Sequence, residues 1–64
     1  MREQELLRRI AAHVGNGYAA VWRRDVSLPD LDRRTVDEAL AAGVGAQQVW
    51  RAVWAFLELP ERDR

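Results

Sequence analysis

Thr35-Val36-Asp37-Glu38-Ala39-Leu40-Ala41-Ala42-Gly43 is the stretch whose reading decides the fold. Thr35 and Glu38 stand three apart ahead of an apolar run, which is the spacing of a capping box. The Thr35 hydroxyl is placed to accept from the Glu38 amide, and the Glu38 carboxylate from the Thr35 amide. Asp37 and Glu38 also put carboxylates into the first turn, where the positive end of the helix dipole favours them. Ala39-Leu40-Ala41-Ala42 continues the helix and Gly43 closes it. A longer helix starts at about Ala46, with Gly45 as an imperfect N-cap, and runs to about Leu59 before Pro60 ends it. Helix, tight glycine turn and helix together make a helix-turn-helix-like hairpin in the C-terminal half.

Upstream of this hairpin the apolar spacing is again helical. Leu6, Leu7, Ile10 and Val14 recur at helical intervals, with Glu5, Arg8, Arg9 and His13 on other faces. Gly15-Asn16-Gly17 stops that helix, and Tyr18, Val21, Trp22 and Val26 give a second, shorter stripe. Ser27-Leu28-Pro29-Asp30 breaks the stripe, because the residue before a proline is pushed out of the helical region. No alternating run of β-branched residues is long enough to predict a strand. The expected fold is therefore all-α: a small three- to four-helix bundle forming a single domain, 1–64. Its helices are expected at about 3–14, 17–26, 36–42 and 46–59, followed by a frayed tail over 60–64.

Length and composition narrow the function classes. A chain of 64 residues has no room for a second domain or for a Rossmann sheet or TIM barrel. Ten bases balance ten acids, and all ten bases are Arg. A net charge of zero argues against strong nonspecific nucleic-acid binding, although it leaves room for a local basic patch. Without cysteine there is neither a disulfide nor a thiolate metal site. Met1-Arg2-Glu3-Gln4-Glu5 is not the start of a signal peptide, and no apolar run approaches the roughly 20 residues that span a bilayer. A cytoplasmic location is the expectation.

The last helix carries more apolar surface than one packing face requires. Ala46, Val49, Trp50, Val53, Trp54 and Leu57 share one broad face, and Gln47, Gln48, Arg51 and Glu58 the opposite one. Phe56 and Leu59 lie to the far side. Either this helix is central and covered on two sides, or part of it awaits a partner.

From Gly17 to Pro60 the sequence resembles a family of short actinobacterial proteins of unknown function, often encoded near the RecA recombinase and its regulator RecX. The resemblance rests on Tyr18-Ala19, Trp22, Arg24-Asp25, Arg34 through Gly43, Val49 through Val53, and Leu57-Glu58-Leu59-Pro60. The family tends to carry an aromatic residue in its first helix, where this chain has Leu6 and Leu7. It also tends to carry an acidic cap near Gly45, and a small residue or Cys where Trp54 stands. The resemblance implies a diverged member and brings no established activity with it; the gene neighbourhood implies a setting in DNA repair or recombination.

Catalysis has little to work with. His13 and Ser27 are single representatives of their types, the former read as solvent-facing or capping and the latter as part of a turn. Asp30 and Asp32 read as solvated charges on a turn, and Gly15-Asn16-Gly17-Tyr18-Ala19-Ala20 matches a dinucleotide fingerprint only by accident, since no strand precedes it. No enzyme, cofactor or metal centre is expected.

Two binding functions remain. The first, and the favoured one, is a helical module that binds another protein or itself, with Trp54, Phe56 and Leu59 as the contact candidates; Trp22 and Trp50 read as core. The second is a helix-turn-helix-like DNA binder. There Gln47, Gln48 and Arg51 suit base edges and Arg33 and Arg34 suit phosphates. Glu38 stands where that motif usually wants an apolar residue, and Asp37 and Glu58 add negative charge. Neither membrane nor small-molecule substrate is implied.

Overall fold

A computed structural model describes all 64 residues. Four helices carry the chain: α1 (Glu3–Val14), α2 (Ala19–Asp25), α3 (Val36–Ala41) and α4 (Ala46–Phe56). At the end of α1, Gly15 takes φ 98°, a conformation open to glycine, and its N–H closes onto the Ala11 carbonyl at 2.8 Å.

The fold is mostly helical but not all-α, which corrects the expectation drawn from periodicity. Between α2 and α3 lie two short strands, β1 (Ser27–Leu28) and β2 (Arg34–Thr35), paired antiparallel with Ser27 opposite Thr35 and Leu28 opposite Arg34. Pro29 opens a 3-10 turn over Pro29–Leu31, and Asp32 and Arg33 then take the left-handed region at φ 58° and 65°. The Arg33 N–H donates to the Leu28 carbonyl at 3.0 Å and shuts the loop. Strands of two residues are too short for an alternating pattern to show in the sequence. Their effect is positional: the ribbon drops Leu28 and Leu31 into the core and delivers Thr35 to the start of α3.

At that start the capping box forms as its spacing predicts. Thr35 Oγ1 accepts from the Glu38 N–H at 3.1 Å, and Glu38 Oε1 accepts from the Thr35 N–H at 2.8 Å. The other end of α3 is a Schellman motif. Gly43, at φ 91°, donates to the Leu40 carbonyl and Val44 to the Ala39 carbonyl, each at 3.0 Å.

The same motif ends α4 at Phe56, ahead of Pro60. Glu58 donates to Ala55 at 3.2 Å and Leu59 to Trp54 at 3.1 Å, with Glu58 in the left-handed seat at φ 54°. A glutamate in that seat is strained, which is why the sequence, having no glycine there, hides the stop.

Eleven buried hydrophobic residues form one core: Leu6 and Ile10 from α1, Trp22 from α2, Leu28 and Leu31 from the ribbon, Val36 and Ala39 from α3, and Val49, Trp50, Ala52 and Val53 from α4. Helix α4 touches α1, α3 and the 3-10 turn, so it is the central element. Val49, Trp50 and Val53 are the inward stripe that the 3.6-residue period requires.

Residues 60–64 do not fray. Glu61–Asp63 forms a 3-10 turn that folds back on α4, where the Trp50 indole N–H donates to the backbone oxygens of Asp63 and Arg64 at 3.1 and 3.0 Å. The Trp54 indole N–H donates to the Pro60 carbonyl at 2.9 Å. A buried indole has to find an acceptor, and the tail supplies it. No helix is long and apolar enough to cross a membrane.

Candidate functional site

The aromatic residues of α4 divide by helical angle. Trp54 and Phe56 are two positions apart, about 200° around the helix, and therefore meet different surroundings. Trp54 is half-buried against the core, and its indole N–H is taken by Pro60. The Arg64 guanidinium lies 5.6 Å from its ring centre. Leu59 is likewise half-buried against the core. Of the three protein-contact candidates, only Phe56 stands out into solvent, at 44% exposure.

Phe56 rests on α2. Its ring meets that of Trp22 edge-on, with centroids 6.3 Å apart and planes at 61°, an arrangement favoured by the ring quadrupoles. Trp22 itself is buried at 6% exposure, whereas Val21 and Tyr18 beside it are open at 37% and 53%. Val21 lies on α2, and Tyr18 sits at its N-cap, in the turn before it. Phe56 over a buried tryptophan, with Val21 exposed on the same helix as that tryptophan and Tyr18 exposed just before it, is the apolar surface left open.

Sequence reasoning selected Phe56 but missed Tyr18 and Val21, which it placed in an inward stripe. Helix α2 begins only at Ala19, leaving Tyr18 in the preceding turn, and seven residues bury little more than one large side chain, Trp22. The available signal was the shortness of the segment between Gly17 and Pro29.

The DNA-contact candidates are at the surface too. Gln47, Gln48 and Arg51 are exposed on the first half of α4, and Arg33 and Arg34 are exposed on the loop and strand leading to α3. Three ion pairs form: Glu5–Arg9 at 2.8 Å, Arg24–Asp25 at 3.0 Å and Glu61–Arg64 at 3.2 Å. Arg33, Arg34 and Arg51 belong to none of them. Asp25 holds the Arg24 guanidinium above its ordinary pKa through a side-chain hydrogen bond and its charge, and Asp37 adds to this from α3. Trp50, read as core, is buried, and His13 is exposed with its ring centre 5.9 Å from that of Trp50.

Compared with known proteins, residues 1–62 match a family described as "Protein of unknown function (DUF3046)". No curated protein and no solved structure matches the chain. The family match takes in all four helices and the ribbon, and the chain belongs to the DUF3046 family of proteins of unknown function.

Proposed function

We propose that this chain is a non-enzymatic helical module that binds another protein, or a second copy of itself, through Phe56, Val21 and Tyr18. The observation that carries the reading is the exposed Phe56 ring set edge-on against Trp22 of α2, with Val21 exposed on that helix and Tyr18 in the turn before it. In so small a domain every large aromatic is wanted for the core, so leaving two of five in solvent suits a surface that is covered in use. Aromatic anchors set on rigid helices lose little entropy on docking and dominate binding hot spots. Trp54 and Leu59 then serve indirectly, by ending α4 and fixing where Phe56 stands.

Sedimentation velocity over a range of concentrations, followed by affinity capture from native cells, tests this. Wild type is expected to self-associate or to retain a discrete protein, and Phe56→Ser to lose it while staying folded. Retention unchanged in Phe56→Ser contradicts the reading.

A second reading is favoured by one observation: Gln47, Gln48, Arg51, Arg33 and Arg34 are all exposed, and the three arginines make no ion pair. This supports a helix-turn-helix-like DNA contact, and the RecA and RecX neighbourhood implied by the resemblance suits a role in repair or recombination. Amide shifts in a titration with a mixed-sequence duplex, concentrated at these residues and weakening as salt rises, are its expected result. A titration that leaves them unmoved at low salt removes it.

A further inference from the structure

A cavity of about 300 Å³ lies where α1, α4 and the C-terminal turn meet. Arg9 and His13 reach it from α1, Trp50 closes its base from α4, and Arg62, Asp63 and Arg64 form the remaining wall. The Arg9 guanidinium stands 5.4 Å from the Trp50 ring centre and the His13 ring 5.9 Å from it. The far wall is present because the Trp50 indole N–H holds the backbone oxygens of Asp63 and Arg64. Two distant parts of the chain thus bring Arg9 and His13 together with Arg62 and Arg64 at one concavity, the Arg9 guanidinium over Trp50 and the Arg64 guanidinium turned to the Trp54 ring 5.6 Å away.

Set against these groups are three carboxylates. Asp63 lines the cavity, while Glu5 and Glu61 pair with Arg9 and Arg64 without lining it. The Glu61–Arg64 pair is exposed and the Glu5–Arg9 pair part-buried, and the exposed one is of the weak kind that exchanges easily for a stronger acceptor. Arg62 makes no ion pair at all. The chain as a whole has a formal net charge of zero, and carboxylates match these arginines in number, so an anion is held here by direct contacts and not by a net field.

We propose that this cavity binds a small multivalent oxyanion, of the phosphate or diphosphate class. The guanidinium fork matches the paired oxygens of such a group, and Arg9 from α1 with Arg62 from the C-terminal turn can hold it from two sides without stripping it fully of water. The volume lies at the lower end of small-ligand cavities, which suits one or two phosphoryl groups. Binding bridges α1 to the C-terminal turn and tightens the turn onto Trp50.

The probe is sodium pyrophosphate, titrated into the isotope-labelled full chain against sodium chloride at matched ionic strength. Saturable shifts are expected at the Trp50 indole N–H, His13 and residues 62–64, and absent with chloride. Arg62→Ala is expected to weaken binding about tenfold, the loss of one charge-assisted contact. Asp63→Asn is expected to strengthen it, and Arg33→Ala, an equal charge change outside the cavity, to leave it unaltered. Shifts that do not saturate, or that are identical in chloride, overturn the proposal, as does unweakened binding by folded Arg62→Ala. A DNA duplex that moves the same resonances at lower concentration than pyrophosphate assigns the cavity to a polymer backbone and also overturns it.

Discussion

Thr35→Ala is the substitution with the most to say about why this chain folds. Helix α3 has six residues, far fewer than an isolated helix needs, yet it seats Val36 and Ala39 fully in the core. Its register depends on the reciprocal pair of bonds between Thr35 and Glu38, at 3.1 and 2.8 Å. Removing the hydroxyl loses the N-cap, about 1 kcal/mol. Removing the buried methyl loses about 0.8 kcal/mol more. The sum is about 2 kcal/mol, where a core of this size supplies only about 3–5 kcal/mol. Thr35→Ala should therefore lower the melting temperature by roughly 8–16 °C, at about 4–8 °C per kcal/mol. Thr35→Ser keeps the cap and drops the methyl, and should lose less than half as much. Urea unfolding followed by tryptophan emission reads both, since Trp22 and Trp50 are buried and report on the same core. A double-mutant cycle with Glu38→Ala should show coupling of about 0.5–1 kcal/mol. Equal losses for the Ala and Ser variants, or zero coupling, would refute the reasoning.

The two Schellman ends give opposite predictions, both read by the same unfolding assay. Glu58→Gly relieves a left-handed residue at φ 54° and should stabilise by about 0.5–1 kcal/mol. Gly43→Ala, where φ is 91° and a Cβ would meet no neighbour, should destabilise by about 1 kcal/mol through backbone strain alone. A chain ending at Leu59 lacks the acceptors of the Trp50 and Trp54 indoles, so its emission should shift to the red and both indole protons should exchange faster. Its net loss should be about 1 kcal/mol, two hydrogen-bonded donors partly offset by the freedom of the released turn. Phe56→Ser, at an already open ring, should change stability by no more than about 1 kcal/mol, so that a loss of association is not a loss of fold.

Much of the helical framework is legible because its signals are local. The Thr35–Glu38 box, the inward spacing of Val49, Trp50 and Val53, and the glycine after α1 each state their consequence within a few residues. What escapes the sequence depends on distance or on chain length. The ribbon of Ser27–Leu28 with Arg34–Thr35 is made by a loop closing on itself, and two residues per strand leave no period to detect. The end of α4 turns on a glutamate in a conformation that sequence patterns assign to glycine. The docked tail follows from the hydrogen-bonding need of two indoles, a need visible in the composition, whose partners only the fold identifies. The exposed patch was half legible. Phe56 stands apart from its helix's inward stripe, but Tyr18 and Val21 mimic an inward stripe on a helix too short to use it.

The protein contact proposed at Phe56 is tested where it stands by a photo-crosslinking residue. Placed at Phe56 and, in a parallel chain, at Gln47, the probe reports in native cells what each face touches. A protein adduct of discrete mass is expected from the first position, disappearing when Tyr18→Ser is added, and none from the second. Crosslinks to nucleic acid at Gln47, with none to protein at Phe56, would contradict it.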